Sequence, residues 1–178
     1  IAFNSDLGFE YGAILNFFDY GDGSHYPNYD HSLYLEVSRF TKGSGIFRAY
    51  YDSEYLIPNI RVTADLSYLP DEAYDFFGFN GYESIYQSEW VDDSSDDYKS
   101  RMFYKYQRNL FRAKADFQGG ITGNHFRWIA GAAFRNFDIA SVDIKKLNKG
   151  LDKKEKLPSL DEQPGLFEKY IDWGLIPD

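Results

Sequence analysis

The chain contains no cysteine. Disulfides, thiol nucleophiles and cysteine-ligated zinc are therefore excluded, and the redox compartment is left open. Histidine is nearly as scarce. His25, His31 and His125 are the only three. Each lies in or beside a connection and none has a partner at metal-ligand spacing, which argues against zinc and against histidine catalysis. Long apolar runs are missing too. The longest is Trp128-Ile129-Ala130-Gly131-Ala132-Ala133-Phe134, far short of the roughly 20 residues of a transmembrane helix. A helical membrane protein is thereby excluded. A membrane barrel is not, because its strands are only half apolar. No serine stands in a nucleophile-elbow motif and no glycine-rich loop matches a phosphate cradle. Positive charge is in deficit, with a net charge of −9. Such a chain repels phosphate backbones, so nucleic acid is not expected as a partner. The first residue is Ile1 and no secretory leader is visible, so the chain is read as a processed product or a piece of something longer.

What the chain has in abundance is aromatic side chains: 16 Tyr and 16 Phe. Flat rings favour strands, where they pack on a pleated surface. The clearest strand is Asn59 to Leu69. Ile60, Val62, Ala64, Leu66 and Tyr68 share one face, and Arg61, Thr63, Asp65 and Ser67 share the other. Strict alternation of this kind means one apolar and one polar face. Its length also matches the roughly 9–11 residues of a tilted membrane-crossing strand.

The rest reads as more of the same. Ile1–Phe3 is the tail of a strand, followed by a turn at Asn4–Asp6. Leu7–Asp19 alternates large residues with Gly8 and Gly12, as suits a curved sheet with a crowded concave side. His31–Phe40 and Ile46–Ser53 are the next strands, joined by a turn at Thr41–Gly45 in which two glycines supply positive φ. Arg101–Gln118 changes phase partway, which predicts a bulge near Gln107–Asn109 or, alternatively, two shorter strands. His125–Asp138 is the last strand, after a turn at Gly119–Asn124. Residues Pro70–Ser100 form a long insertion. From Ile139 the composition turns polar and lysine-rich, and Pro164–Trp173 reads as a short helix with Gly174 as its C-terminal cap.

The expected fold class is thus all-β: an antiparallel up-and-down meander of about seven strands, a partial outer-membrane barrel, with two long loops and a short C-terminal helix. Residues 1–138 hold the strands, including the long loop 70–100. Residues 139–178 form a polar loop with the helix near 164–173. If every connection is a hairpin, both long connections fall on one end of the sheet. Outer-membrane barrels have this asymmetry, with short turns on one side and long loops on the other.

The run Asp92-Asp93-Ser94-Ser95-Asp96-Asp97 offers Asp92, Asp93, Asp96 and Asp97 as weak calcium candidates, without the spacing or closing Glu of an EF-hand loop. Asp19, Asp22 and Ser24 hint at the same chemistry. A solvated loop tip and a plain turn are the favoured readings. Glu10, Glu36, Arg48, Asp52, Arg61, Asp65, Lys114, Asp116 and Arg127 stand at polar strand positions. An enzyme would draw a carboxylate pair from them, but the expectation is a charge ladder between strands. The cluster Tyr74-Asp75-Phe76-Phe77-Gly78-Phe79 is either a binding patch for a partner or sugar, or an interfacial girdle or loop folded back on the sheet; the latter is favoured.

Four stretches carry a resemblance: Asn4-Ser5-Asp6-Leu7-Gly8-Phe9-Glu10-Tyr11-Gly12, His31-Ser32-Leu33-Tyr34-Leu35-Glu36-Val37-Ser38-Arg39, Tyr51-Asp52-Ser53-Glu54-Tyr55-Leu56-Ile57-Pro58 and Phe77-Gly78-Phe79-Asn80-Gly81-Tyr82-Glu83. Together they resemble the N-terminal part of the barrel in a BamA/TamA-like, surface-antigen-type outer-membrane family of Gram-negative bacteria. Members of that family carry periplasmic repeats followed by a sixteen-stranded barrel, and they insert or export other proteins. The resemblance implies a bacterial outer-membrane location and a non-enzymatic role in protein assembly, insertion or translocation. It implies outer-membrane lipid as a partner, with client outer-membrane proteins or other envelope subunits, and no cofactor. Leu33, Leu35, Val37, Ile60, Val62 and Leu66 are the lipid-facing candidates. The rival expectation is a soluble cell-envelope β-sandwich or small barrel that binds a ligand or polysaccharide, with the same apolar faces forming an internal core.

Overall fold

The computed structural model describes residues 2–4, 7–79, 84–122 and 126–177. Alternating sequence builds seven strands: β1 Ala2–Asn4, β2 Gly8–Asp19, β3 His31–Phe40, β4 Gly43–Ile57, β5 Ile60–Asp75, β6 Lys105–Thr122 and β7 Phe126–Ala140. They form a single sheet in sequence order, every neighbour antiparallel. The fold is therefore an open up-and-down meander, with two short helices after it, α1 Ile144–Leu147 and α2 Leu166–Asp172. Ser5 and Asp6 of the first expected turn, Asn80 to Glu83 of the fourth quoted stretch, and Gly123, Asn124 and His125 at the last hairpin lie outside the described residues.

The backbone ladder carries several strands past the point where their alternation stops. β4 runs from Gly43 to Ile57 rather than Ile46 to Ser53. β5 continues to Asp75, so the first residues of the expected 70–100 insertion are strand. β6 runs from Lys105 to Thr122 rather than Arg101 to Gln118, and β7 ends at Ala140 rather than Asp138. In the turn after β3, positive φ falls on Gly43 and Ser44, not on Gly45. Helix α2 lies inside the expected 164–173, with Gly165 rather than Pro164 at its N-cap. Gly174 takes φ 67 just past its end, as expected of a cap.

The expected bulge in β6 at Gln107–Asn109 sits in the partner strand instead. Leu69 pairs with Leu110 and Glu72 with Arg108, so Pro70 and Asp71 together oppose Asn109. Strand β6 keeps its register with β7 through this stretch. Proline explains the choice of strand, since Pro70 has no N–H to give the ladder. Asp71 beside it takes φ 55, and its N–H donates to Asn109 Oδ1 at 2.7 Å. The phase change read in β6 has another origin. Tyr104 lies in the turn before β6, and Tyr106 stands on the polar face because aromatic rings of the loop end lie over it.

Those rings belong to a cap built from the described residues of the two long segments, 76–79 with 84–104, and 141–177. Strand parity sends both to the same end of the sheet. Tyr106 stacks on Phe167 with centroids 5.4 Å apart, and Phe76 meets Tyr170 at 5.4 Å. The Leu166 N–H donates to the Phe103 carbonyl. Beside them Met102, Val142, Ile144, Leu147 and Leu157 form a buried apolar cluster. Asn148 stitches its edge, accepting from Leu157 N–H at 2.7 Å and donating to Leu157 C=O at 3.0 Å.

Glu168 is carried into this cap by α2. Burial pushes its carboxyl above the ordinary Glu range, while a hydrogen bond from Ser141 opposes that. A raised folded pKa means that protonated Glu168 costs the fold nothing at low pH. The penalty appears as pH rises from the unfolded pKa through the folded one. Glu168→Gln is therefore expected to flatten the pH dependence of cap stability. Melting followed by tryptophan fluorescence between pH 4 and 8 checks this. The wild type should lose stability relative to the variant as pH rises, and equal slopes would refute the assignment.

Candidate functional site: one charged face, one bare face

Strand alternation sorts the sheet into two faces, and register lines up residues of like kind across it. One row runs Leu15, Leu35, Ala49, Leu66, Ala113, Phe134 over β2 to β7. The row beside it, on the opposite face, runs Ile14, Glu36, Arg48, Ser67, Arg112, Arg135. The rows differ in burial in the unexpected sense. Leu15, Leu66 and Phe134 are 54%, 51% and 61% exposed, whereas on the other face Ser67 is 2% and its neighbour Asp65 8% exposed. The charged face is the crowded one at its centre, while Ile14 and Arg135 at its two edges stay exposed.

Its centre is Asp65. The carboxylate accepts from Arg48 of β4 at 2.6 Å, from Arg112 of β6 at 2.9 Å and from the Ser67 hydroxyl at 2.5 Å. A second centre lies nearer the turn end. Asp52, 4% exposed, accepts both Nε and Nη2 of Arg61, at 2.8 and 2.6 Å, and the Tyr29 hydroxyl at 2.9 Å. Burial and the Asp52 bond push the Tyr29 phenol above its usual range. Glycine makes room on this face. A Cβ on Gly12 would stand 2.3 Å from the Val37 carbonyl oxygen, and one on Gly131 2.2 Å from Asp116 Oδ1. The expected charge ladder is present between strands at Arg48, Asp52, Arg61 and Asp65, with Arg112, Ser67 and Tyr29 joined to it, while Lys114 pairs with Asp116 of its own strand. Arg112 has the parity of Lys114 and Asp116, and that parity was the available signal.

All six lipid-facing candidates stand on the other face by strand parity. Val37 and Leu66 are exposed, and Leu33, Leu35 and Ile60 are half-exposed. Val62 is the exception, buried at 7% between its cross-strand neighbours Ser53 and Phe117. Near the centre of this face Ala49, Ala64, Ala113, Ala115 and Ala132 leave a shallow hollow of about 440 Å³.

The chain matches no protein-family model, no curated protein and no solved structure.

The remaining candidates are placed as follows. Asp92 accepts from the Ser94 N–H and hydroxyl at 3.0 and 2.6 Å, which holds its carboxyl below the usual range. Asp93, Asp96 and Asp97 stand exposed on the same loop tip. Asp19 and Asp22 cap Gly21 and Ser24 in the same way, each at 2.9 Å. Among the described residues no three His, Asp or Glu side chains converge as a metal ligand set. His25 bonds Asp30 at 2.8 Å and stacks on Tyr55, and His31 bonds the Tyr51 hydroxyl at 2.7 Å. Within the aromatic cluster Phe76 folds back into the cap, while Phe77 and Phe79 keep exposed faces.

Asp65 sets a test of the charged face. Removing it strands two guanidiniums that are 38% and 31% exposed. Water reaches them in part, so Asp65→Ala is expected to cost about 2–3 kcal/mol, less than a fully buried pair. Urea titration of the folded sheet, followed by circular dichroism, measures this. A loss under about 0.5 kcal/mol, the scale of a plain surface change, would contradict the network.

Proposed function

We propose that the chain is the membrane-embedded part of a bacterial outer-membrane β-barrel of the protein assembly, insertion or translocation type, and that it performs no bond chemistry. One observation carries the membrane half of this reading: buried charges on one face of the sheet and bare apolar residues on the other. A chain folded for water buries its strand-borne Leu, Val and Phe. Here they stand out from a sheet whose Asp and Ser are covered. A contiguous apolar face of this breadth needs a cover, and among the described residues no second sheet lies over it. Lipid hydrocarbon matches its uniformly apolar character, and the polar face matches the interior of such a barrel. The placement of both long segments at one end agrees with the loop asymmetry of outer-membrane barrels.

The assembly half of the reading rests on the four sequence stretches that resemble the BamA/TamA-like family. Its partners on this reading are outer-membrane lipid and client or companion envelope proteins.

Leu66→Arg separates bilayer from water. In hydrocarbon near the midplane an arginine on the outer face costs roughly 2–4 kcal/mol. On a water-facing surface the same change stays within about 0.5 kcal/mol. Unfolding in urea is to be measured from phospholipid vesicles and, in parallel, in buffer without detergent. The expected result is a requirement for vesicles or detergent, with the large penalty. A monodisperse chain in plain buffer that tolerates Leu66→Arg would overturn the membrane reading and favour the soluble ligand-binding module.

A further inference from the structure

The cap holds a feature that the sheet does not require. Between the base of β5 and β6 and the segment 84–104 lies a cleft of about 470 Å³, within the usual size range of small-molecule sites. Three aromatic rings shape it. Tyr104 forms the buried floor, fixed by the Gln87 N–H donating to its hydroxyl at 2.9 Å. Phe77 and Tyr86 rise as walls, about half exposed, with ring planes 84° apart and centroids 5.7 Å apart. Their centroids lie 5.4 and 5.1 Å from that of Tyr104. The polar side of the cleft is Asp75 with Lys105, joined at 2.8 Å, with Arg101 nearby. The Asp75 carboxylate is 55% exposed despite its partner.

We propose that this cleft binds a pyranose ring of a surface glycan. A sugar ring has an apolar face of C–H groups and an equatorial fringe of hydroxyls. Aromatic walls take the first without leaving polar atoms dry, and a rigid ring gives that contact at little entropic cost. Neighbouring hydroxyls on one ring are both donors and acceptors. The Asp75 carboxylate accepts from one, and the Lys105 ammonium beside it donates to the next. Asp75 and Lys105 balance each other as a pair, so the hydrogen bonds they offer suit neutral hydroxyls. Half-exposed rings beside a fixed donor–acceptor pair distinguish it from the Phe76 cluster, whose rings pack edge to face on one another over the buried Phe167. The inference is independent of the medium around the sheet, since every residue named lies at the loop end.

Saturation-transfer NMR on the whole chain tests this, in a zwitterionic detergent without a sugar headgroup. The probes are the methyl glycosides of glucose, galactose and N-acetylglucosamine, with glucitol as the acyclic control. The expected result is transfer to the ring C–H protons of at least one glycoside, with a Kd of about 1–10 mM as befits a single ring, and none to glucitol. Tyr86→Ala and Asp75→Asn should each weaken binding at least about fivefold, while Ile129→Ala on β7 leaves it unchanged. Asp75→Asn keeps the side-chain shape, so it carries the test if near-UV circular dichroism shows that Tyr86→Ala loosens the cap. No transfer from any glycoside, equal transfer to glucitol, or full binding by Asp75→Asn each overturns the proposal.

Discussion

A carboxylate held between guanidiniums from two other strands fixes this sheet. Asp65 on β5 takes Arg48 from β4 and Arg112 from β6. A register slip of one residue would turn Asp65 to the side of Leu66 and separate it from both arginines. Such a slip exchanges every side chain between faces, and an unpaired carboxylate on an apolar surface is far costlier than the loss of a few packing contacts. The register of three strands is thus set by charge as well as by alternation. Asp52 and Arg61 repeat the device nearer the turn end. Once β4, β5 and β6 are aligned, the apolar row through Leu35, Leu66 and Phe134 follows from the pleat.

The sheet was legible because its signal is local. Alternation in Asn59–Leu69 and in His31–Phe40 needs only a period of two to be read, and β3 matches its expected bounds. The bulge was misplaced because it belongs to a pair of strands, whereas phase is read one strand at a time. By sequence Pro70 reads as the start of an insertion; in the sheet it is the reason that β5 carries the extra residue. Arg112 was passed over although it stands between Ser67 and Arg135 in the row. Of the cap, helix α2 was legible, and a fold-back of the Phe76 cluster was among the favoured readings, but their meeting was not. Phe76 meets Phe167 across a separation that no periodicity reports, and the aromatic residues of 102–104 read as strand because rings favour strands.

The molecule uses two kinds of packing that answer to different surroundings. At the loop end, Met102, Phe103 and Leu147 are sealed from solvent by their own chain, as in any water-soluble domain. Over the sheet, Leu15, Leu66 and Phe134 stand bare, with no second layer over them among the described residues. The boundary between the regimes is the bulge. Below it β5 alternates, with Asp65 inside and Leu66 outside. Above it Lys105 donates to Asp75 at 2.8 Å and Gln107 donates to Asp71 at 2.6 Å. Pro70 and Asp71 thus mark the level at which the outer face of β5 stops being apolar.

The same reasoning bears on the edges of the sheet. Strand β1 covers only Gly8–Glu10 of β2, and β7 pairs with β6 alone. The outward N–H and C=O groups of Phe126–Ala140 therefore have no ladder partner within the sheet. In water such an edge is guarded by proline, lysine or a bulge, and β7 has neither a proline nor a lysine. In hydrocarbon an unpaired edge is costlier still, several kcal/mol for each group, and only closure removes it. If lipid wets the face of Leu66, further strands must then run on from both edges until they meet. Strands β2 to β7 alternate in direction, so β2 and β7 run opposite ways. An all-antiparallel ring completes itself from that start with an even number of strands between them, which agrees with the even counts of bacterial single-chain barrels.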